Sequence, residues 1–187
     1  MKQLLLAAGA LALIATASIP DADAGNRAWV KQYGSYNGQS SAQKGNRTWV
    51  KQYGTYNGQA SAQKGKRNEA VIYQRGRSNE ASTIQQGRRN SANTTQHGRY
   101  NQALTDQLGR ANFAVTGQAG DRNRATTIQS GAGNIAGTAQ IGSGLKSTTN
   151  QSGDGNASGT IQAGHGHKAD TRQAGTGNVS LTIQSTH

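Results

Sequence analysis

Glutamine returns at every eleventh position over most of this chain: Gln52, Gln63, Gln74, Gln85, Gln96, Gln107, Gln118, Gln129, Gln140, Gln151, Gln162, Gln173 and Gln184. Two residues after each of the first twelve stands a glycine: Gly54, Gly65, Gly76, Gly87, Gly98, Gly109, Gly120, Gly131, Gly142, Gly153, Gly164 and Gly175. Five residues after it stands asparagine in ten units: Asn57, Asn68, Asn79, Asn90, Asn101, Asn112, Asn123, Asn134, Asn156 and Asn178. Leu145 and His167 take that place in the other two. Position seven is mostly alanine and position nine mostly threonine.

A fixed short period of this kind specifies a solenoid or a fibrous array, not a globule. Eleven is also the period of a right-handed helical supercoil. A glycine and an asparagine in every unit would break such a helix. Positions five, seven, nine and eleven share one parity, which is the periodicity of a strand. The glycine, two variable residues and the asparagine supply a turn. Each unit is therefore a short strand and a turn, and two consecutive units make one arch.

Stacking such arches in register sets residue i on residue i+22, about 4.8 Å away. The expected fold is all-β: a cross-β, amyloid-forming β-solenoid of 22-residue strand-turn-strand arches, built from 11-residue Q-x-G-x-x-N-x-A units. Asn, Ala, Thr and Gln face inward, with Asn near Gln at the ends and Ala opposite Thr in the middle. The Gln and Asn columns are candidate amide ladders that hold the assembly together. Val71, Ile84, Leu104, Val115, Ile128, Ile161 and Ile183 fall on the outer face.

The composition makes those ladders necessary. Only 32% of residues are hydrophobic, the net charge is +12, and there is no cysteine to form disulfide staples. Low hydrophobicity with high charge ordinarily signals disorder, but disorder gives no reason to keep one residue type at one spacing.

Three domains are expected. Residues 1–24 read as a secretory signal peptide: Lys2, an apolar run from Leu4 to Ala17, and an A-x-A site cleaved between Ala24 and Gly25. Residues 25–64 hold a duplicated, aromatic-rich block, GNRAWVKQYGSYNGQSSAQK followed by GNRTWVKQYGTYNGQASAQK. Two further units begin there, at Gln32 and Gln43, the second only nine residues long. Residues 65–187 form the regular solenoid.

The units "QRGRSNEASTIQ" (74–85) and "QQGRRNSANTTQ" (85–96) resemble the curlin family, the subunits of bacterial curli fibres. They fit the Q-x-G-x2-N-x-A-x3-Q part of its repeat, and the resemblance spans roughly residues 32–184. It implies export through a dedicated outer-membrane curli-type exporter, polymerisation of the chain with itself and with another curlin-type subunit, and fibres at the bacterial cell surface that serve adhesion and biofilm matrix. The start GNRAWVKQYG lacks the glycine-rich export segment of a typical major subunit. The positive charge is closer to that of minor, nucleating subunits, which slightly favours that role.

Charge is concentrated toward the N-terminus, where residues 25–124 carry 16 Lys or Arg against Glu69, Glu80, Asp106 and Asp121. Lys66, Arg67, Arg77, Arg88, Arg89, Arg99, Arg110 and Arg122 occupy turn positions and are candidate anion contacts, for acidic polysaccharide, lipopolysaccharide or extracellular DNA. The competing reading is a solvated edge that keeps the precursor soluble. A soluble cell-surface binding module for such polymers is the alternative function. Trp29, Tyr33, Tyr36, Trp49, Tyr53 and Tyr56 could make a docking platform, although packing on irregular strands is the commoner role of such residues. The block that carries them is also a candidate nucleating or anchoring head.

No catalytic constellation emerges. Carboxylates are few and scattered, neither a nucleophile elbow nor a P-loop occurs, and His165, His167 and Asp170 sit in turn or degenerate positions unsuited to a metal. No enzyme activity and no cofactor are expected.

Overall fold

The structure, a computed structural model, describes residues 26–186. The expected signal peptide, its cleavage pair Ala24 and Gly25, and His187 lie outside the described residues.

The described chain is a β-solenoid of fifteen strands: β1 (Arg27–Tyr33), β2 (Gly38–Gln43), β3 (Arg47–Thr55), β4 (Gly58–Lys66), β5 (Glu69–Arg77), β6 (Glu80–Arg88), β7 (Ser91–Arg99), β8 (Gln102–Arg110), β9 (Phe113–Asp121), β10 (Arg124–Ala132), β11 (Ile135–Ser143), β12 (Lys146–Ser152), β13 (Ala157–His165), β14 (Lys168–Ala174) and β15 (Val179–Ser185). Odd strands form one parallel sheet of eight and even strands a second of seven. The chain passes back and forth between the two sheets. One set of turns, from odd to even strands, makes a first edge, and the return turns make a second edge.

From β3 onward the register offset is two full units, as in Gln74 on Gln96 and Gly76 on Gly98. The offset is 20 where β1 meets β3 and β2 meets β4, as in Gln32 on Gln52 and Gln43 on Gln63. The shortfall comes out of the turn. Lys44-Gly45-Asn46 spans the second edge where later rungs use a longer segment, such as Lys64 to Asn68. Strand register is thereby kept while the perimeter shrinks. Pairing of β3 with β5 and of β4 with β6 carries the same two sheets across the boundary at residue 64.

Inward positions alternate with exposed ones along the strands, as in β6, and are buried from β3 to β14 but less completely in β1, β2 and β15. The interior consists of Asn, Gln, Thr and Ala, nearly all 5% exposed or less between Asn57 and Gln162. Small residues meet in the middle, where the Thr48 and Ser61 hydroxyls lie 3.3 Å apart across the core. Val50 and Ile72 replace threonine on two rungs and are fully buried. The expected outer apolar residues do face outward, with Ile84, Leu104, Val115, Ile128, Ile161 and Ile183 exposed and Val71 half-buried.

The strands are longer than the sequence period implies. Most run on to include the glycine at position two, which leaves a short link between strands, such as Ser78–Asn79. The glycine therefore bends a strand end, and the reversal itself is made by the residue at position four. Hydrogen bonding continues through these corners, where the Arg89 N–H donates to Lys66 O (3.1 Å) and the Ser91 N–H to Asn112 O (2.9 Å). Few backbone groups are left for water to satisfy, so a chain poor in apolar side chains still folds.

Candidate functional site

Inward glutamines form two continuous ladders. In the eight-stranded sheet, Gln32 Nε2 donates to Gln52 Oε1 (2.6 Å), and the chain of bonds continues through Gln74, Gln96, Gln118, Gln140 and Gln162 to Gln184 at 2.7–2.8 Å. In the other sheet it runs from Gln63 through Gln85, Gln107, Gln129 and Gln151 to Gln173 at 2.6–2.9 Å. The second amide hydrogen crosses the core to a backbone carbonyl beside the facing asparagine, as from Gln85 to Glu69 O (3.0 Å). A primary amide suits this task because it carries donors and acceptors on one planar group.

Asparagines staple the corners. Asn79 Oδ1 accepts the Asn101 N–H (3.1 Å), while Asn79 Nδ2 donates to Gly98 O (2.9 Å) one rung on. Along the second edge this pattern runs unbroken from Asn46 through Asn68, Asn90, Asn112, Asn134 and Asn156 to Asn178. Along the first edge it runs from Asn37 through Asn57, Asn79 and Asn101 to Asn123, whose Oδ1 accepts the Leu145 N–H (3.0 Å). Leu145 is buried and has no amide to pass the bond on.

The expectation for these ladders began at Gln52 and Asn57. Gln32, Asn37 and Asn46 extend them into the aromatic block. Gln32-Tyr33-Gly34 with Asn37 keeps the full spacing, so the signal was present; Asn46 is hidden by the shortened turn. Gln39 and Gln59 stand in the alanine column with amides that have no partner, and the amide of Gln43, in the glutamine column, also has none. The polar interior of these first rungs is thus less well satisfied than the rest.

Close approach explains the glycine column. A Cβ on Gly76 would stand 1.9 Å from Gly98 O, and the same clash recurs from Gly54 to Gly153 at 1.8–2.1 Å, while Gly45 in the shortened turn is less crowded, at 3.0 Å. The position-four residues are left-handed throughout. Tyr36, Tyr56, Arg67, Ser78, Arg89, Tyr100, Ala111 and Arg122 have φ between 55° and 60°, and glycine takes over from Gly133 onward. None of the eight is β-branched, the class least tolerant of this conformation.

The eight candidate anion contacts divide between the two edges. Arg77, Arg99 and Arg122 lie on the first edge, where Arg99 Nη2 meets Asp121 Oδ2 at 2.7 Å and Nε meets Oδ1 at 3.3 Å. Hydrogen bonding from Arg99 holds the Asp121 carboxyl below its ordinary range. Lys66, Arg67, Arg88, Arg89 and Arg110 lie on the second edge. Lys66, Arg88 and Arg110 are register partners, and the five line a shallow hollow of about 320 Å³.

Trp29, Tyr33, Trp49 and Tyr53 stand on β1 and β3, while Tyr36 and Tyr56 take left-handed corners of the first edge. Trp29 and Trp49 lie 5.6 Å apart, and Tyr33 with Tyr53 and Tyr36 with Tyr56 stack at 4.9 and 5.0 Å. Lys31 and Lys51 sit over the rings of Tyr33 and Tyr53 at 5.2 and 5.1 Å. Hydrogen bonding with Tyr53 raises the Lys51 pKa above its ordinary value. The duplicated block thus becomes a cationic and aromatic outer face. His165 and His167 turn to separate partners, Ser143 Oγ (2.7 Å) and Thr186 Oγ1 (3.3 Å).

Residues 87–120 match the profile of the curlin associated repeat. Over that stretch the chain is similar to the curlin associated repeat. No curated protein matches the chain. The matched residues run from β6 to β9, and the same glutamine and asparagine spacing continues on both sides of them.

Proposed function

We propose that this curlin-repeat chain is a secreted structural subunit that polymerises into extracellular curli-like amyloid fibres serving adhesion and biofilm matrix. One observation carries the reading: from β3 onward successive rungs repeat the same inward register and the same glutamine-to-glutamine bonds, whatever the variation at their corners. Any rung edge is therefore complementary to any other, including one from a second molecule. The assembly contacts are the Gln and Asn columns from Gln52 and Asn57 onward, extended by Gln32, Asn37 and Asn46, with the glycine columns permitting close stacking.

The partners of this reading are further copies, a second curlin-type subunit and an outer-membrane curli-type exporter reached after cleavage between Ala24 and Gly25. No helix among the described residues is long and apolar enough to cross a membrane. The basic charge and the 25–64 block favour a minor, nucleating subunit. Fibre diffraction on the chain from Gly25 tests the proposal. Reflections at about 4.7 Å and about 10 Å are expected, together with rising thioflavin fluorescence. A permanent monomer, seeded or unseeded, would refute it.

A second reading, a surface module for anionic polysaccharide, lipopolysaccharide or extracellular DNA, is supported by the basic second edge. The two readings are compatible, since the cations lie outside the stacking faces.

A further inference from the structure

We infer that the second edge is a site for a single chain of acidic polysaccharide carrying about one anionic group per sugar. The inference rests on the anionic-polymer reading and is independent of fibre growth. Every side chain lining the hollow is a cation: Lys66, Arg67, Arg88, Arg89 and Arg110. Four of the five are arginines, whose planar guanidinium matches a carboxylate or sulfate with two donors.

The fold gives this charge an unusual order. Register pairing holds Lys66, Arg88 and Arg110 in a column parallel to the solenoid axis. Arg67 and Arg89 form a second column beside it, both in the left-handed corner conformation. Rungs rise by about 4.8 Å, less than one Debye length of about 8 Å at physiological salt, so these like charges repel one another. A bound polyanion relieves that repulsion along its whole length. The first column ends where Ala132 follows Arg110 in register, its N–H donating to the Asp154 carboxylate (2.8 Å), and the second ends where Ala111 takes the corner after Arg89.

Spacing and lining select the polymer. A polysaccharide advances by about one rung height for each pyranose ring, so one anion per sugar stays in step with the column. Phosphates along one strand of duplex DNA recur about every 3.4 Å, out of step with rungs of about 4.8 Å. Single-stranded nucleic acid is held by aromatic rings on which bases stack, and no ring lines the hollow. The tyrosine and tryptophan ladders lie on the outer face of the eight-stranded sheet and on the first edge.

The test compares two variants of the full chain, each lacking four positive charges. One removes the site, Arg67→Gly with Arg88→Ala, Arg89→Gly and Arg110→Ala. The other, Arg75→Ala with Arg77→Ala, Arg122→Gly and Arg124→Ala, removes charge at the first edge. The second-edge replacements copy residues the chain already uses further along the same edge, Ala132 and Gly133. The probes are polygalacturonate and duplex DNA, with binding read by anisotropy at several salt concentrations.

The expected result is that wild type holds polygalacturonate more tightly than DNA. The second-edge variant then loses at least about tenfold in affinity with a shallower salt slope, and the first-edge variant loses less than about threefold. Equal losses, or no loss, in the two variants would overturn the site. Tighter binding of DNA that falls in the second-edge variant would overturn the choice of polymer. Thioflavin fluorescence on the same samples reports assembly separately, so failure of either proposal is distinguishable from failure of the other.

Discussion

At the scale of single residues, two neighbouring corner positions obey different rules. Position two excludes every side chain, because a Cβ on Gly98 would lie 2.1 Å from Gly120 O. Gly98→Ala is expected to destabilise the chain by about 3 kcal/mol or more, from overpacking and backbone strain together, measured by urea unfolding. Position four excludes only conformational types. Arg89, at φ 58°, is expected to tolerate Gly within about 0.5 kcal/mol, since relief of left-handed strain offsets the entropy glycine adds to the unfolded chain. Arg89→Val is expected to cost about 1–3 kcal/mol. Equal stability of the two Arg89 variants would show that the corner is not held left-handed.

At the scale of strands, stability resides in columns that span them. Gln107 accepts from Gln85 (2.7 Å), donates to Gln129 (2.8 Å) and reaches across to Ser91 O (3.0 Å). Gln107→Leu leaves the Gln85 and Gln129 amides each short of a partner at about 1–3 kcal/mol per group. A loss of about 2–4 kcal/mol is expected on that basis, with faster amide exchange in β6, β8 and β10. An effect confined to β8 would count against a cooperative ladder. The period, the strands and their inward faces were legible in the sequence because a solenoid repeats its local chemistry in the order of the chain. The sorting of cations between edges required the fold: Arg88 and Arg99 look equivalent in the repeat, yet one lines a cationic hollow and the other pairs with Asp121. The partnerless amides of Gln39 and Gln59 were equally hidden, since a single departure from the alanine rule does not reveal what faces it. Nothing in the sequence distinguished a glycine that turns the chain from one that admits a neighbouring carbonyl.

At the scale of the whole molecule, charge opposes stacking while the amide columns favour it. Raising salt from about 10 to about 150 mM shortens the Debye length from about 30 Å to about 8 Å. The lag before thioflavin fluorescence rises is therefore expected to shorten, and to shorten less in the variant lacking Arg67, Arg88, Arg89 and Arg110. A salt-independent lag in both would mean that edge repulsion does not limit assembly.

The sequence repeats unit by unit, as from Gln85 to Gln96, but the structure repeats only every second unit, as from Gln85 to Gln107. Genetic gain or loss of rungs therefore has a phase. Adding or removing a whole arch changes the length of the rod and leaves each surface where it was. Removing a single unit would exchange the two sheets for every residue downstream and move Arg110 onto the edge now held by Arg99. Length variation in such chains is neutral only in whole arches, and a half-arch deletion would rewrite the surface while sparing the core.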